Sequence, residues 1–187
     1  MEDYDALFEK LVLQETSLQE AFDFVRKRSN GNVWLIGGAV YRNIAHMLYR
    51  TEKAPHDFDF IVGSPKPQIA LPMDWIQTTN KYGNPKFVSN ALEIDFVPLT
   101  TVHSIIRRGL EFSFVNYLTG TPLTIQSIGY NLITKKLEGD IGLHAVKTRT
   151  VGINNKEQAK IYEVKKGKSI SEIIAEKARS LGFCPLW

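Results

Sequence analysis

With 187 residues, 43% of them hydrophobic and 23% charged, the chain has the proportions of a globular protein, enough for one domain with a small appendage. Its acidic, amphipathic start (MEDYDALFEK) is unlike a signal peptide and no apolar run reaches membrane-spanning length. The single cysteine, Cys184, excludes an intrachain disulfide and a cysteine-based zinc site, so the simplest expectation is a cytoplasmic protein with no membrane partner.

Apolar residues at Tyr4, Leu7, Leu11 and Leu13 predict a short helix over residues 3–13. Ser17-Leu18-Gln19-Glu20 has the form of a capping box opening a second helix, with Leu18, Ala21, Phe22 and Val25 inward. Arg26, Lys27 and Arg28 stand at its C-terminal end, where cations complement the macrodipole, and Ser29-Asn30-Gly31-Asn32 ends it. Both read as packing elements.

The apolar run Val33, Trp34, Leu35, Ile36 predicts a buried strand that meets Gly37-Gly38. A helix follows on Val40, Ile44, Met47 and Leu48. After a polar break, a second strand places Phe58 and Phe60 on one face and Asp57, Asp59 and Ile61 on the other. Residues 63–67 read as a loop, and 75–78 and 86–89 as short strands around the turn residues Asn80, Gly83, Asn84 and Pro85. Residues 91–98 alternate Leu92, Ile94, Phe96 against Glu93, Asp95, Val97, a third strand with acid on one face. Residues 101–108 predict a helix ending in Arg107-Arg108, and 111–119 suit helix or strand equally. Two further helices are expected, from Asn155 through Lys166 and from Ser169 to Leu181, the second striped by Ile170, Ile173, Ile174, Ala178 and Leu181.

The chemistry concentrates between residues 33 and 62. Residues i and i+2 of a strand lie about 6.6 Å apart at Cα, from which Asp57 and Asp59 could converge on metal ions about 3.5–4 Å apart. A strand that ends in two glycines and opens a helix offers N–H groups and a helix N-terminus to a phosphate. Either motif alone is commonly a turn or a solvated strand end; their order and spacing are far more specific. Charge is uneven too, with nine basic against four acidic residues from 147 to 187 and fourteen against sixteen before. A basic tail beside an acidic region suits a polyanionic partner as well as it suits a solvated helix face.

In the order strand, Gly37-Gly38, helix, strand bearing Asp57-x-Asp59, the chain resembles the polymerase-beta-like nucleotidyltransferases, in particular the head of the CCA-adding tRNA nucleotidyltransferase and bacterial poly(A) polymerase family. The resemblance spans about residues 30–183. It implies an α/β fold, a small mixed sheet packed by helices on one side, with residues 1–152 as the catalytic domain and 153–187 as a helical extension like the start of a neck. It also implies a Mg²⁺-dependent (or Mn²⁺-dependent) transfer of NMP from an NTP such as ATP to a hydroxyl, foremost an RNA or tRNA 3′ end. Asp57 and Asp59 would be the metal ligands, with Asp95 as third carboxylate and Glu93 its competitor. Gly37, Gly38, Arg42 and Thr124 would hold the nucleotide; for the RNA, the basic charge of the C-terminal segment points to Lys165, Lys166 and Lys168.

Departures are visible. The family's Gly-Gly-x-Val-Arg-Asp becomes Gly37-Gly38-Ala39-Val40-Tyr41-Arg42-Asn43, which puts Arg42 one position late and turns it by about 100° on a helix. Of the family's Asp-Phe-Thr-Ile-Asn-Ala-Leu, Thr124 and Ile125 match, Pro122 and Gln126 replace acid and amide, and no arginine pair precedes them. The base-selecting Glu-Asp-x-x-Arg and the helical body are not found. Transfer to a small-molecule or protein hydroxyl, and a catalytically inactive binding homologue, therefore stay open. A metallohydrolase centre on His56, Asp57, Asp59 and His144 is disfavoured, because imidazoles select zinc or iron and ligand spacing is lacking. Tyr41, Tyr130 and Phe183 suit base stacking or, more simply, a core, and Cys184 reads as a small hydrophobe.

Overall fold

The computed structural model describes residues 3–54, 57–67 and 70–187. Helix α1 (Tyr4–Gln14) is capped by Asp3, whose carboxylate accepts the N–H groups of Asp5 and Ala6. Helix α2 (Thr16–Lys27) follows after one residue and starts at Thr16, ahead of the expected Ser17 cap, with no side-chain cap. Gln19 instead turns back to the carbonyls of Val12 and Leu13 (3.1 and 2.8 Å), fastening the two helices. Arg28 does more than complement a dipole. It is buried, its guanidinium lies 3.6 Å from the Phe24 ring centroid, and it donates to the carbonyls of Phe24 and Ala70.

Strand β1 (Ser29–Ile36) begins where a turn was expected, because a bulge between Asn30 and Val33, with Gly31 at φ 71°, absorbs the polar residues into the ladder. Helix α3 (Gly38–Tyr49) leads to β2 (Asp57–Pro65), which pairs antiparallel with β1 and runs past the expected end at Val62. The hairpin β3 (Ile76–Thr79) and β4 (Pro85–Val88) delivers the chain to β5 (Glu93–Pro98), which lies parallel to β2. Helices α4 (His103–Arg108) and α5 (Phe114–Leu118) resolve the ambiguity at 111–119 in favour of helix. Then come β6 (Gly129–Asn131), β7 (Lys136–Glu138), α6 (Asp140–Thr148), β8 (Thr150–Val151), α7 (Lys156–Lys166), α8 (Ile170–Leu181) and β9 (Cys184–Pro185). The main sheet is mixed and has seven strands in the order β3-β4-β5-β2-β1-β6-β7, and β8 pairs with β9 in a separate two-stranded ladder.

Alternation along the strands creates two unequal apolar layers. One face carries Leu35, Phe58, Phe60, Ile94, Phe96 and Tyr130 into the main core, where α1, α2, α3, α6 and α8 cover them. Ile173, Ile174, Ala178, Leu181 and Phe183 of the C-terminal segment belong to that same core. The other face is also covered, a correction to the one-sided packing expected from sequence: Trp34, Ile36 and Ile61 meet Leu99, Val102, Ile105, Phe114 and Leu118. Trp34 stacks on Phe114 at 4.5 Å between ring centroids. Tyr41, Tyr130 and Phe183 are core residues, whereas Cys184 is exposed in β9 and is no part of a core. Among the described residues no helix is long and apolar enough to cross a membrane.

Candidate functional site

The second face of the sheet is where the carboxylates gather. In the parallel β2–β5 pair Asp57 stands opposite Glu93 and Asp59 opposite Asp95, and neighbouring strands are about 4.8 Å apart. Four carboxylates thus occupy one corner of one face. Lys86, opposite Asp95 on β4, pairs with Glu93. Asn80, in the β3–β4 turn, donates to Asp95 Oδ1 at 3.0 Å. That leaves Asp57 and Asp59 as the less compensated pair. Burial, and then the charges of Asp57 and Asp95, push the Asp59 carboxyl up to about 7. Burial, Glu93 and Asp95 raise Asp57 as well.

On the other side of Asp59 lies the end of β1, where Ile36 is its cross-strand partner. The next residue, Gly37, has φ 69°, the left-handed region that glycine enters freely, and N-caps α3 without a side-chain bond. A β-carbon at Gly37 would sit 3.0 Å from Asp59 Oδ2. Gly37 therefore meets two requirements at once, and the uncapped first turn of α3 opens directly beside the carboxylates. Gly38 is less constrained, since a β-carbon there would make only ordinary contacts with Arg42 and Tyr41.

Both Gly37 and Asp59 line a cleft of about 730 Å³ between the sheet, α4, α5 and α7. That is a volume in the range of small-ligand sites. Lys165 of α7 enters it, 4.9 Å from the Tyr82 ring centroid, and Tyr82 in turn packs on His103. Arg107 lines the cleft and is braced by Gln158 Oε1 at 2.7 Å, whereas Arg108 donates to the Ser104 carbonyl of its own helix and ties α4 to α5 through the Asn116 carbonyl. Tyr117 is there too, its hydroxyl held protonated by burial and by the charge of Asp59. Tyr82, His103 and Tyr117 were missed by sequence reasoning. Aromatic residues in a turn and on short helices carry no motif, and only tertiary packing brings them to the carboxylates.

Other expected residues lie elsewhere. Thr124 accepts the Gly152 N–H at 3.0 Å and is not a lining residue of the cleft. Arg42, Lys166 and Lys168 line a separate pocket between α3, α7 and α8. The expected RNA-binding lysines are thus divided, Lys165 facing the cleft and the other two the pocket. His56 lies outside the described residues, and His144 stands on α6, which packs into the main core.

The donors at the carboxylate corner are all oxygen and carry surplus negative charge, the combination that suits a hard divalent cation such as Mg²⁺ or Mn²⁺. Asp57, Asp59 and Asp95 are the residues that could hold it. Among the described residues, however, no three His, Cys, Asp or Glu side chains form a ready-made metal-binding group.

The seven-stranded mixed sheet packed by helices is a fold shared with CCA-adding and other tRNA-processing enzymes. The chain superposes on a tRNA-processing enzyme in an apo form with TM-score 0.55 and 14% identity over 83% of this chain and 41% of that one. For a CCA-adding enzyme in complex with ATP the values are 0.55, 17%, 95% and 41%. For a tRNA nucleotidyltransferase with a primer tRNA and an incoming ATP analogue they are 0.54, 14%, 89% and 46%. The chain spans less than half the length of each of these proteins. No family model and no curated protein matches it by sequence.

Proposed function

We propose that the protein transfers a nucleoside monophosphate from an NTP to a hydroxyl, foremost the 3′ end of an RNA such as tRNA. The observation that carries this reading is the approach of Gly37 to Asp59, which sets a helix N-terminus against an aspartate that lines the cleft, with Asp57 two residues away on the same face of β2. A phosphate cradle beside a carboxylate pair suits metal-dependent transfer of phosphoryl or nucleotidyl groups. The solved proteins of this fold, a CCA-adding enzyme with ATP and a tRNA nucleotidyltransferase with primer tRNA, support the choice of NTP and RNA.

The N–H groups of Gly37, Gly38 and the first turn of α3 bind the phosphate oxygens. Lys165 and Arg107, facing the cleft, neutralise the triphosphate. Asp57 and Asp59 would hold a Mg²⁺ or Mn²⁺ ion, which would supply Lewis-acid polarisation of the acceptor and neutralise charge on the departing pyrophosphate. Asp95 accepts the acceptor hydroxyl's proton. The acceptor oxygen forms the new bond to the α-phosphorus, the bond from that phosphorus to the bridging oxygen breaks, and pyrophosphate leaves with the electron pair. Tyr82 and His103 line the same cleft and offer ring faces to the nucleoside.

The test is incubation with each α-labelled NTP, Mg²⁺ and total RNA. Label should enter RNA at its 3′ end. Label in a small molecule or a protein would move the acceptor class, and no label anywhere would overturn the enzyme reading. A non-catalytic nucleotide-binding role is the second reading, favoured by the lack of a converged three-residue metal group among the described residues. NTP binding without transfer would select it.

A further inference from the structure

The pocket between α3, α7 and α8 has about 300 Å³ and draws cations from separate elements: Arg42 on α3, Lys166 at the end of α7, Lys168 in the following turn and Lys177 on α8. Against these four stands one lining carboxylate, Glu176, which pairs with Lys168 at 2.5 Å. Among the described residues Arg42, Lys166 and Lys177 form no ion pair. Arg42 makes only a long contact to Ser180 Oγ (3.4 Å), and Lys166 and Lys177 lie over the rings of Tyr162 and Tyr41.

Helix dipoles explain part of this clustering. Lys166 lies in the last turn of α7, where a cation is favoured. Arg42 is five residues into α3, nearer its positive end, and Lys177 is interior to α8. Neither gains from its own helix, yet both converge on one concavity. An anion is the missing partner. A strand of phosphates fits better than a lone one, because α7 stands between this pocket and the cleft: Lys165 faces the carboxylate side and its neighbour Lys166 the basic side.

We infer that this pocket holds the phosphodiester backbone of the acceptor RNA, whose 3′ end crosses α7 to reach the carboxylates. The inference rests on the RNA reading above and adds to it Arg42 and Lys177 as groups that neutralise backbone phosphates. Such pairing gives affinity without reading sequence and shows itself in salt dependence.

The experiment measures binding of a fluorescently labelled single-stranded oligoadenylate against KCl concentration. Arg42→Gln with Lys177→Gln should make the slope of log K against log salt shallower by about 1.4, at roughly 0.7 for each phosphate left without its cation. Arg42→Lys with Lys177→Arg should keep the wild-type slope, which separates charge from packing. Three outcomes overturn the assignment. Wild type that binds RNA with a slope unchanged in the Gln pair places the backbone elsewhere and leaves the RNA reading intact. A Gln pair that loses ATP affinity while keeping RNA affinity makes this a triphosphate pocket. Wild type that binds no RNA at low salt removes the RNA reading as well.

Discussion

Strands β2 and β5 present opposite chemistry on their two faces. Phe58, Phe60, Ile94 and Phe96 point one way and are at most 4% exposed, while Asp57, Asp59, Glu93 and Asp95 point the other. Each buried apolar side chain contributes about 1.5–3 kcal/mol. The acidic face works against folding, since like charges held a strand spacing apart repel and Asp59 is also desolvated. One face therefore secures the strands so that the other can hold carboxylates that would not otherwise stay together. The backbone of a strand cannot move one face without the other, so each side's role can be tested separately by substitution.

The largest contrast should come from conservative changes on the acidic face. Asp57→Asn and Asp59→Asn should each reduce NMP transfer to background while the thermal unfolding transition stays cooperative. Wild-type transfer rates in both variants would remove the pair from the mechanism. On the opposite face Phe60→Ala should cost about 3–5 kcal/mol in a denaturant titration. A loss below about 1 kcal/mol would mean that the face is not the anchor described.

The acidic face should also respond to pH. Asp59 titrates near 7 when folded against 3.8 as a free carboxylate, so the folded state binds the proton more tightly. Its contribution is fully present below pH 3.8 and is lost as pH rises through 7. In metal-free protein, Asp59→Asn should accordingly match wild type near pH 4 and exceed it at pH 8 by about 4 kcal/mol, with Asp57, Asp95, Lys86 and Lys165 as the charges that face it. Added Mg²⁺ should shrink the gap at pH 8 by stabilising wild type. Equal melting of the two proteins at pH 8 would show that the carboxylates are not crowded. The smallest effect is expected at the junction of the two motifs, where Gly37→Ala meets both a positive φ and Asp59 Oδ2. A stability loss of about 1 kcal/mol should accompany weaker ATP binding by calorimetry, and Gly38→Ala should be milder on both counts.

The alternation that separates these faces was legible in the sequence. A period of two needs only local residues, and so the sequence puts Asp57 and Asp59 on one face of their strand and Glu93 and Asp95 on one face of theirs, and its order of strand, Gly37-Gly38, helix, strand agrees with the structure. Asn155 and Ser169 mark helix starts by hydrogen bonds within three residues, and both cap α7 and α8 as their sequence suggests. The Ser17 cap did not form because α2 starts earlier, with the Glu15 carbonyl accepting the Leu18 and Gln19 N–H groups, while the Gln19 side chain bonds back to α1. Arg42 likewise sits in a recognisable motif, but whether its long side chain serves the cleft or the pocket depends on α7 and α8, more than a hundred residues away.

What the sequence by itself determined, then, is the existence of the strands β1 to β5, the face each carboxylate occupies and the glycine turn, because these follow from backbone geometry repeated over a few residues. The tertiary structure alone decided that β5 lies parallel to β2 with Asp95 beside Asp59, that Tyr82, His103 and Tyr117 reach the cleft, and that α7 divides Lys165 from Lys166. Those arrangements come from packing between elements distant in the chain, where side-chain volume and burial select one mutual orientation and no local period encodes it.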